Sequence, residues 1–187
     1  MHIVLFGPYG SGKGTQGRIL SEKHDLQSFD TGEQIRFHIK NQTAIGKRVK
    51  AIVDRGDLVP NEVVMEIVEH FIEQADTDKG LLFDGIPRFA EQAKTFDALL
   101  EKHDIHPVRI LVNISSELSL SRQLKRNAEA TEKRADSTDE IAKKRVLVYE
   151  NETLPMIAMY MLQGAIHEIN ADQSIAQVTA DIEAVLK

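Results

Sequence analysis

Residues near the start of the chain have the types and the spacing needed to bind phosphate. Gly7, Gly10, Gly12 and Lys13 lie in the segment GPYGSGKGTQ, directly after the apolar run His2–Phe6. Glycines let consecutive backbone N–H groups curl around an anion, and a following helix N-terminus adds partial positive charge. A lysine at this position can reach the outer phosphates of a nucleotide. The segment therefore predicts a phosphate-binding loop.

This loop departs from the strict pattern G-x-x-x-x-G-K-[ST] at one position. Gly14 stands where the pattern has a hydroxyl residue, and Thr15 follows it. A glycine-rich turn that binds nothing would give no reason for three glycines around one lysine at the start of a helix, so phosphate binding is the favoured interpretation. GTPases, motors, transporters and kinases all use such a loop, so the loop alone does not name a reaction.

The elements that must position this loop follow from the apolar pattern. Five apolar runs predict buried strands at 2–6, 27–29, 81–83, 108–114 and 165–169. Helical spacing predicts helices at 12–23, 61–74, 89–102, 115–126 and 174–186, and a longer pattern at 138–162 that Pro155 should kink or break. Strands that alternate with helices indicate an α/β fold, with a parallel sheet covered on both faces.

Two stretches interrupt this alternation. Residues 31–60 show two helical segments and no convincing strand, and residues 127–139 are polar and dense in charge. The first predicts a helical insertion and the second a short lid. We therefore expect one domain with a core at 1–29, 60–124 and 138–187, an insertion at 30–59 and a lid at 125–137.

The composition excludes several classes of function. The chain has 187 residues, no cysteine and a formal net charge of −6. Disulfides, thiolate zinc sites and a cysteine nucleophile are excluded, and the net charge has the wrong sign for general nucleic-acid binding. The longest apolar run near the start is too short for a signal-peptide core or a membrane span. We expect a soluble cytoplasmic protein with neither a nucleic-acid nor a membrane partner.

Three motifs together identify a family. The segment 7–16, the segment Thr31-Gly-Glu-Gln-Ile-Arg36, and Asp84-Gly-Ile-Pro-Arg88 followed by Gln92 resemble the adenylate kinase family, in order and over essentially the whole chain. The resemblance implies a P-loop NTPase fold with a five-stranded parallel sheet, a helical insertion that binds the nucleoside monophosphate, and a short lid. It also implies a monomeric enzyme that reversibly transfers the terminal phosphoryl group of Mg-ATP to AMP, giving two ADP.

The resemblance implies a donor site around the glycine-rich loop. The residues that would bind ATP are Gly10, Ser11, Gly12, Lys13, Gly14, Thr15, Arg122, Arg126 and Gln173. Asp84 would hold Mg²⁺ through water, and no zinc is expected. Phosphoryl transfer depends mainly on positioning and charge neutralisation, so no general base is nominated. The residues implied to act in catalysis are Lys13, Arg88, Arg126, Arg134 and Arg145.

The resemblance places the acceptor in the insertion and beside the third strand. The residues that would bind AMP are Thr31, Arg36, Asp57, Leu58, Val59, Gly85, Ile86, Pro87, Arg88, Gln92, Arg134 and Arg145. Gln92 bears most on the identity of the base, because an amide can offer both a donor and an acceptor to the N1/N6 edge of adenine. The family also implies a cis peptide bond before Pro87.

The chain departs from the family pattern at several positions. Tyr9 stands where the loop usually has proline, Glu33 replaces Asp, Ile86 replaces an aromatic residue, and Ser137 replaces the second Asp of the lid boundary. These changes remove no charged group that the family uses in catalysis. They bear instead on loop geometry and on substrate affinity.

Two other functions remain open at this point. A UMP/CMP kinase usually has Ser-Ala-Gly-Asp at the acceptor segment and Asn after Pro-Arg, whereas this chain has Thr31-Gly and Gln92. A catalytically silent nucleotide sensor would bind nucleotide without turnover, and the intact Lys13, Arg88 and Arg134 argue against it. A GTPase switch would need Asp-x-x-Gly and Asn-Lys-x-Asp, and the sequence contains neither.

Overall fold

A computed structural model describes residues 1–129 and 138–187 as an α/β structure. The strands are β1 (His2–Phe6), β2 (Gln27–Asp30), β3 (Leu81–Asp84), β4 (Pro107–Asn113) and β5 (His167–Asn170). The helices in the described residues are α1 (Lys13–His24), α2 (Thr31–Lys40), α3 (Ala44–Asp54), α4 (Asn61–Gln74), α5 (Ala90–Lys102), α6 (Ser116–Glu129), α7 (Asp139–Val148), α8 (Leu154–Leu162) and α9 (Ile175–Val185). A π-helical turn, Tyr149–Thr153, joins α7 to α8.

The strands form one parallel sheet in the order β2-β3-β1-β4-β5. This confirms the predicted fold class. β1 lies at the centre, and its side chains alternate between two buried clusters, Val4 and Phe6 on one face and Ile3 and Leu5 on the other. Both faces are covered, which explains why β1 is apolar at nearly every position rather than at alternate ones.

An aromatic cluster packs between strands β2 and β3 and the helices α4 and α5. Phe29 and Phe83 are fully buried, and Phe83 packs edge-on against Phe96 of α5 with ring centroids 5.2 Å apart. Phe71 of α4 meets both strand residues. These rings pack β3 against α4 and α5. They therefore hold the carboxyl end of β3, at Asp84, in place.

The insertion after β2 is an α-hairpin in which each helix begins at a side-chain cap. The Asp30 carboxylate accepts a hydrogen bond from the Glu33 N–H at 2.8 Å at the start of α2, and the Thr43 hydroxyl accepts one from the Gly46 N–H at 3.1 Å at the start of α3. A Cβ on Gly46 would lie 2.1 Å from the carbonyl oxygen of His38. Only glycine therefore allows α2 and α3 to approach this closely.

The pattern at 138–162 breaks next to Pro155, as predicted, since the π-helical turn Tyr149–Thr153 directly precedes α8 and Pro155 is the second residue of that helix. One predicted boundary nearby was wrong. The last strand begins at His167 rather than at 165, because the Ala165 N–H closes the end of α8 on the Tyr160 carbonyl at 2.9 Å.

Among the described residues, no helix combines the length and the apolar character that crossing a membrane requires.

Candidate active site

The glycine-rich loop joins β1 to α1 at the centre of the sheet edge. Gly7 has φ 140°, and a Cβ there would lie 2.2 Å from the carbonyl oxygen of Val112 on the neighbouring strand. Gly12 is the N-cap of α1, with φ 98° and no side-chain cap. Because no side chain of Gly12 covers the first turn, the helix N-terminus is available to an anion, as the sequence pattern predicts.

Lys13 folds back over this loop. Its ammonium donates hydrogen bonds to the carbonyl oxygens of Gly7 at 2.7 Å and Pro8 at 2.9 Å. Burial lowers the pKa of Lys13, and the carboxylate of Asp84 acts in the opposite direction. The loop carbonyls thus hold a desolvated cation beside the hollow of the loop, where it can meet a phosphate.

Asp84 stands at the end of β3, next to the loop. Its side chain is 9% exposed, and its Oδ2 lies 3.8 Å from the position that a Cβ on Gly14 would occupy. Burial raises the pKa of this carboxyl, and Lys13 and Arg88 oppose the shift. A buried carboxylate beside a phosphate loop fits Mg²⁺, which is usually held by one or two carboxylates, water and substrate phosphates. The residues present therefore fit the metal that the sequence implied.

Arg88 lies near the end of the loop between β3 and α5 and is held from several sides. Its Nε donates to the Gly85 carbonyl at 2.8 Å, and its Nη1 donates to the hydroxyl of Tyr9. Its backbone N–H donates to Gln92 Oε1 at 2.8 Å, and its carbonyl accepts from the Thr153 hydroxyl at 2.8 Å. The peptide bond between Ile86 and Pro87, just before it, is cis, as the resemblance implied. The backbone N–H and carbonyl of Arg88 are therefore both hydrogen-bonded, and two bonds of the guanidinium fix the direction of the side chain.

One cleft of about 650 Å³ collects these groups. This volume lies within the range of small-molecule sites. The basic residues that line the cleft are Lys13, Arg18, Arg36, Arg88, Arg122, Arg126 and Arg145. Arg134, which was also expected here, lies outside the described residues, as do Asp136 and Ser137 of the lid boundary. So many cations around one cleft repel each other until a polyanion neutralises them.

α6 attaches to the loop through two polar side chains. The Ser119 hydroxyl donates to the Tyr9 carbonyl at 2.7 Å. Arg122 donates to the carbonyl oxygens of Gly10 at 3.4 Å and Ala171 at 3.3 Å, and it lies 3.8 Å from the Asp172 carboxylate. Arg122 therefore lies between the loop and the turn after β5, on the side of the cleft where the resemblance implies the donor site.

A second hollow opens between the insertion and β3. The residues expected to bind the acceptor that line it are Thr31, Arg36, Asp57, Leu58, Val59, Gly85, Arg88 and Arg145. Ile86 and Pro87 line the larger cleft instead. The Thr31 hydroxyl donates to the Asp84 carbonyl at 3.2 Å, which ties the start of α2 to the end of β3. The structure thus brings the insertion and the third strand to one pocket.

Three expected residues line neither the cleft nor the second hollow. Gln173 directs its amide to the Asn170 carbonyl at 2.8 Å and to the carboxylate of Asp181 in α9 at 2.6 Å. Ser11 is buried in the loop, and its hydroxyl has no hydrogen-bond partner among the described residues. Gln92 is 3% exposed and uses its oxygen on Arg88. An amide oxygen keeps a second lone pair, and the amide nitrogen keeps its two donors, so contact with a base is still open to Gln92.

Several groups of the site carry no motif in the sequence. Thr153 and Tyr149 enter the cleft from the π-helical turn, an element that often marks functional sites. Lys144 of α7 bonds to Asp57 of the insertion. Tyr9 departs from the loop pattern of the family, and its side chain contacts Arg88. These contacts join residues far apart in the chain, so local spacing could not reveal them.

Comparison with known proteins gives one consistent match. Residues 5–165 match the family model described as adenylate kinase. The adenylate kinase of Chloroherpeton thalassium is 33% identical over 214 residues, which cover 100% of this chain and 98% of that protein. The adenylate kinase of Thermosynechococcus vestitus is 36% identical over 187 residues, covering 98% of this chain and 96% of the relative. The adenylate kinase of Parvibaculum lavamentivorans is 37% identical over 188 residues, covering 100% and 92%.

Proposed function

This chain belongs to the adenylate kinase family, and we propose that it reversibly transfers the terminal phosphoryl group of Mg-ATP to AMP, giving two ADP. It is a nucleoside monophosphate kinase. The main support for the proposal is that Lys13 of the loop, Arg88 after β3 and Arg145 of α7 all line the same cleft. Loop and insertion lie on two sides of this cleft, which suits two nucleotides placed phosphate to phosphate.

The reaction asks little covalent chemistry of the protein. An oxygen of the AMP phosphate attacks the γ-phosphorus of ATP, and the bond from that phosphorus to the bridging oxygen of the leaving ADP breaks. The loop and Lys13 would hold the donor phosphates, while Arg36 and Arg88 would hold the acceptor phosphate. Arg126, Arg134 and Arg145 would neutralise the charge that spreads over the transferring group.

Asp84 would hold the magnesium ion through water. When bound, Mg²⁺ neutralises and orients the donor phosphates. The chain itself supplies the other positive charge near the donor phosphates. Lys13 offers a cation at the loop, and the aligned N–H groups at the start of α1 offer partial positive charge.

The test is ADP formation from Mg-ATP with AMP, UMP, CMP and GMP as separate acceptors. A strong preference for AMP, and the reverse reaction from ADP alone, would support the proposal. Preference for a pyrimidine acceptor would overturn the assignment of the acceptor pocket. ATP binding without turnover would instead mark a nucleotide sensor.

Two variants test the assigned cations. Lys13→Met and Arg88→Ala should each keep the fold and lower kcat/KM at least about a hundredfold, because each removes a charge from the transferring phosphates. Lys94→Met and Arg48→Ala are matched controls, since both side chains are exposed and neither lines the cleft. Near wild-type turnover in Lys13→Met or Arg88→Ala would refute the role assigned to that residue.

We also propose that the enzyme works as a monomer in the cytoplasm. The monomer is what the resemblance to the adenylate kinase family implies. The absence of cysteine is compatible with a reducing compartment. Light scattering during size-exclusion chromatography, with and without nucleotide, measures the oligomeric state.

A further inference from the structure

Tyr9 lies at the point where the donor loop meets the cations of the acceptor side. Its backbone is held to α6 by the hydrogen bond from Ser119. Its ring lies against two guanidinium groups, with the central carbon of Arg145 4.7 Å and that of Arg88 5.4 Å from the ring centroid. Arg88 follows β3 and Arg145 belongs to α7, so one side chain of the loop contacts cations from two separate elements.

The chemistry of a phenol suits this place. The face of an aromatic ring carries negative quadrupole charge and attracts cations, which reduces the repulsion between two neighbouring guanidinium groups. The phenol oxygen also accepts a hydrogen bond from Arg88 Nη1. Burial raises the pKa of the Tyr9 hydroxyl, but Arg88, Arg145 and Lys13 together shift it below its ordinary value. The surrounding field therefore favours negative charge at this oxygen.

Arg88 illustrates how the contact directs a side chain. Its Nε is fixed on the Gly85 carbonyl at 2.8 Å, and its Nη1 is fixed on Tyr9. Two bonds to different atoms determine the plane of a guanidinium, and its remaining donors then point in a set direction. A proline at position 9, the residue typical of the loop, offers neither a ring face of this kind nor a hydroxyl.

We propose that Tyr9 is a positioning residue for the acceptor phosphate, which holds Arg88 and Arg145 side by side through its ring and fixes the plane of Arg88 through its hydroxyl. The proposal rests on the proposed kinase function and deepens it. Tyr9 acts through the arginines and takes no part in bond making. Its contribution therefore concerns the nucleotide that those arginines bind.

A rival explanation is that Tyr9 only shapes the loop. The two explanations differ in which ligand they affect, since the loop binds the donor and the arginines bind the acceptor. They also differ in the effect of removing Arg88. Tyr9→Phe keeps the ring, the size and the backbone preference, and removes only the hydroxyl, so it separates the two.

The first experiment measures AMP, adenosine and Mg-ATP binding by calorimetry for the wild type, Tyr9→Phe and Tyr9→Leu. Loss of one hydrogen bond to a charged group should weaken AMP binding about tenfold in Tyr9→Phe. Loss of the ring as well should weaken it by a further factor of about three to ten in Tyr9→Leu. Adenosine and Mg-ATP binding should change less than about twofold, because neither depends on the acceptor phosphate clamp. Equal losses for AMP and Mg-ATP would overturn the proposal in favour of loop shape.

The second experiment is a double-mutant cycle with Arg88→Lys, read as KM for AMP and kcat. If Tyr9 acts through Arg88, Tyr9→Phe should raise KM for AMP in the wild type but change it less than about twofold in the Arg88→Lys background. Additive effects would refute the coupling. The thermal midpoints of all variants confirm that they are folded. A wild type that makes no ADP from AMP would defeat the proposed function itself, whereas an active wild type with an unaffected Tyr9→Phe defeats only this inference.

Discussion

Lys144 of α7 donates hydrogen bonds to Asp57 Oδ1 at 2.5 Å and to the carbonyl of Arg55 at 3.0 Å. Asp57 and Arg55 belong to the turn after α3, and Asp57 is one of the residues expected to contact the base of AMP. Beside this pair, a Cβ on Gly56 would lie 3.1 Å from Ile141 of α7. This segment is thus tied to α7, the helix that carries Arg145, which is proposed to bind phosphate.

Removing the contact between Lys144 and the turn at 55–57 should weaken binding of the acceptor AMP more than binding of the donor ATP. In Lys144→Met the turn at 55–57 loses its polar contact with α7, so we expect KM for AMP to rise about three- to tenfold, with KM for ATP within about twofold of the wild type. The pair is partly exposed, and such pairs contribute little to stability, so the thermal midpoint should hardly move.

The matched control is Lys143→Met, which removes the same charge one residue away at an exposed position. Salt offers a further check, because screening weakens exposed ion pairs. KM for AMP of the wild type should rise with salt more steeply than that of Lys144→Met. Identical KM values for AMP in Lys143→Met and Lys144→Met would contradict a specific tie.

The amide of Gln92 should determine how well the enzyme distinguishes bases. Gln92→Leu removes both the acceptor for the Arg88 N–H and the donor available to adenine, so kcat/KM for AMP should fall about a hundredfold and the preference over UMP should narrow. Steady-state rates with each acceptor measure both quantities.

Gln92→Glu separates the two tasks of this side chain. It keeps an oxygen for the Arg88 N–H and loses the amide donors, so any loss common to both variants belongs to contact with the base. If Gln92→Glu retains wild-type selectivity, the amide does not read adenine, and the role of Gln92 is confined to the loop before α5.

The parts of the site that the sequence could predict are those encoded by local spacing. The glycines lie in the turn between β1 and α1, with Lys13 at the start of α1. Asp84 ends β3, and Gly85 to Arg88 lie in the loop that follows it. Parallel strands bring their carboxyl ends to the same edge, so both segments had to meet there. The fold class followed from the same alternation of strands and helices, and the structure confirms it.

The contacts that escaped prediction depend on distant partners. Lys144 stands within an ordinary charge run, and its bond to Asp57 spans 87 residues. The bond between Tyr9 and Arg88 spans 79. Neither pairing has a sequence period, because it arises from how α7 and the loop pack against other elements. The sequence predicted a break near Pro155 but not that Thr153 would enter the site, since a π-helical turn differs from an α-helix in spanning five rather than four residues per hydrogen bond and leaves no pattern of its own.

Asp84 should make stability depend on pH in the absence of nucleotide. Burial raises the pKa of this carboxyl in the folded protein, so the folded state binds more protons than the unfolded state between the ordinary pKa and the raised one. The free energy of unfolding then falls as the pH rises through that window. Asp84→Asn removes the effect, so it should be more heat-stable than the wild type at neutral pH, and the difference should shrink as the pH approaches about 4.

The same variant should lose activity, since turnover with Mg-ATP and AMP is expected to fall at least about a hundredfold when the carboxylate is removed. Thermal melts between acidic and neutral pH, together with rates, test both halves of the prediction. Asp78→Asn is the control, because that side chain is exposed and should leave both quantities as they are. A pH profile of stability that is the same for Asp84→Asn and the wild type would argue against a raised pKa.

Phe96 should matter for stability rather than for chemistry. Its side chain is fully buried and packs edge-on against Phe83, which precedes Asp84 in β3. Phe96→Ala should lower the free energy of unfolding by about 3–5 kcal/mol, because it removes buried apolar surface and leaves a cavity. Phe37→Ala, at a side chain that is 58% exposed, should change it by less than about 0.5 kcal/mol. Urea unfolding measures both values.

Activity should respond differently from stability. Because Phe96 does not line the cleft, kcat per folded molecule should stay near that of the wild type. A large fall in kcat without loss of stability would show that this ring fixes the position of Asp84 directly.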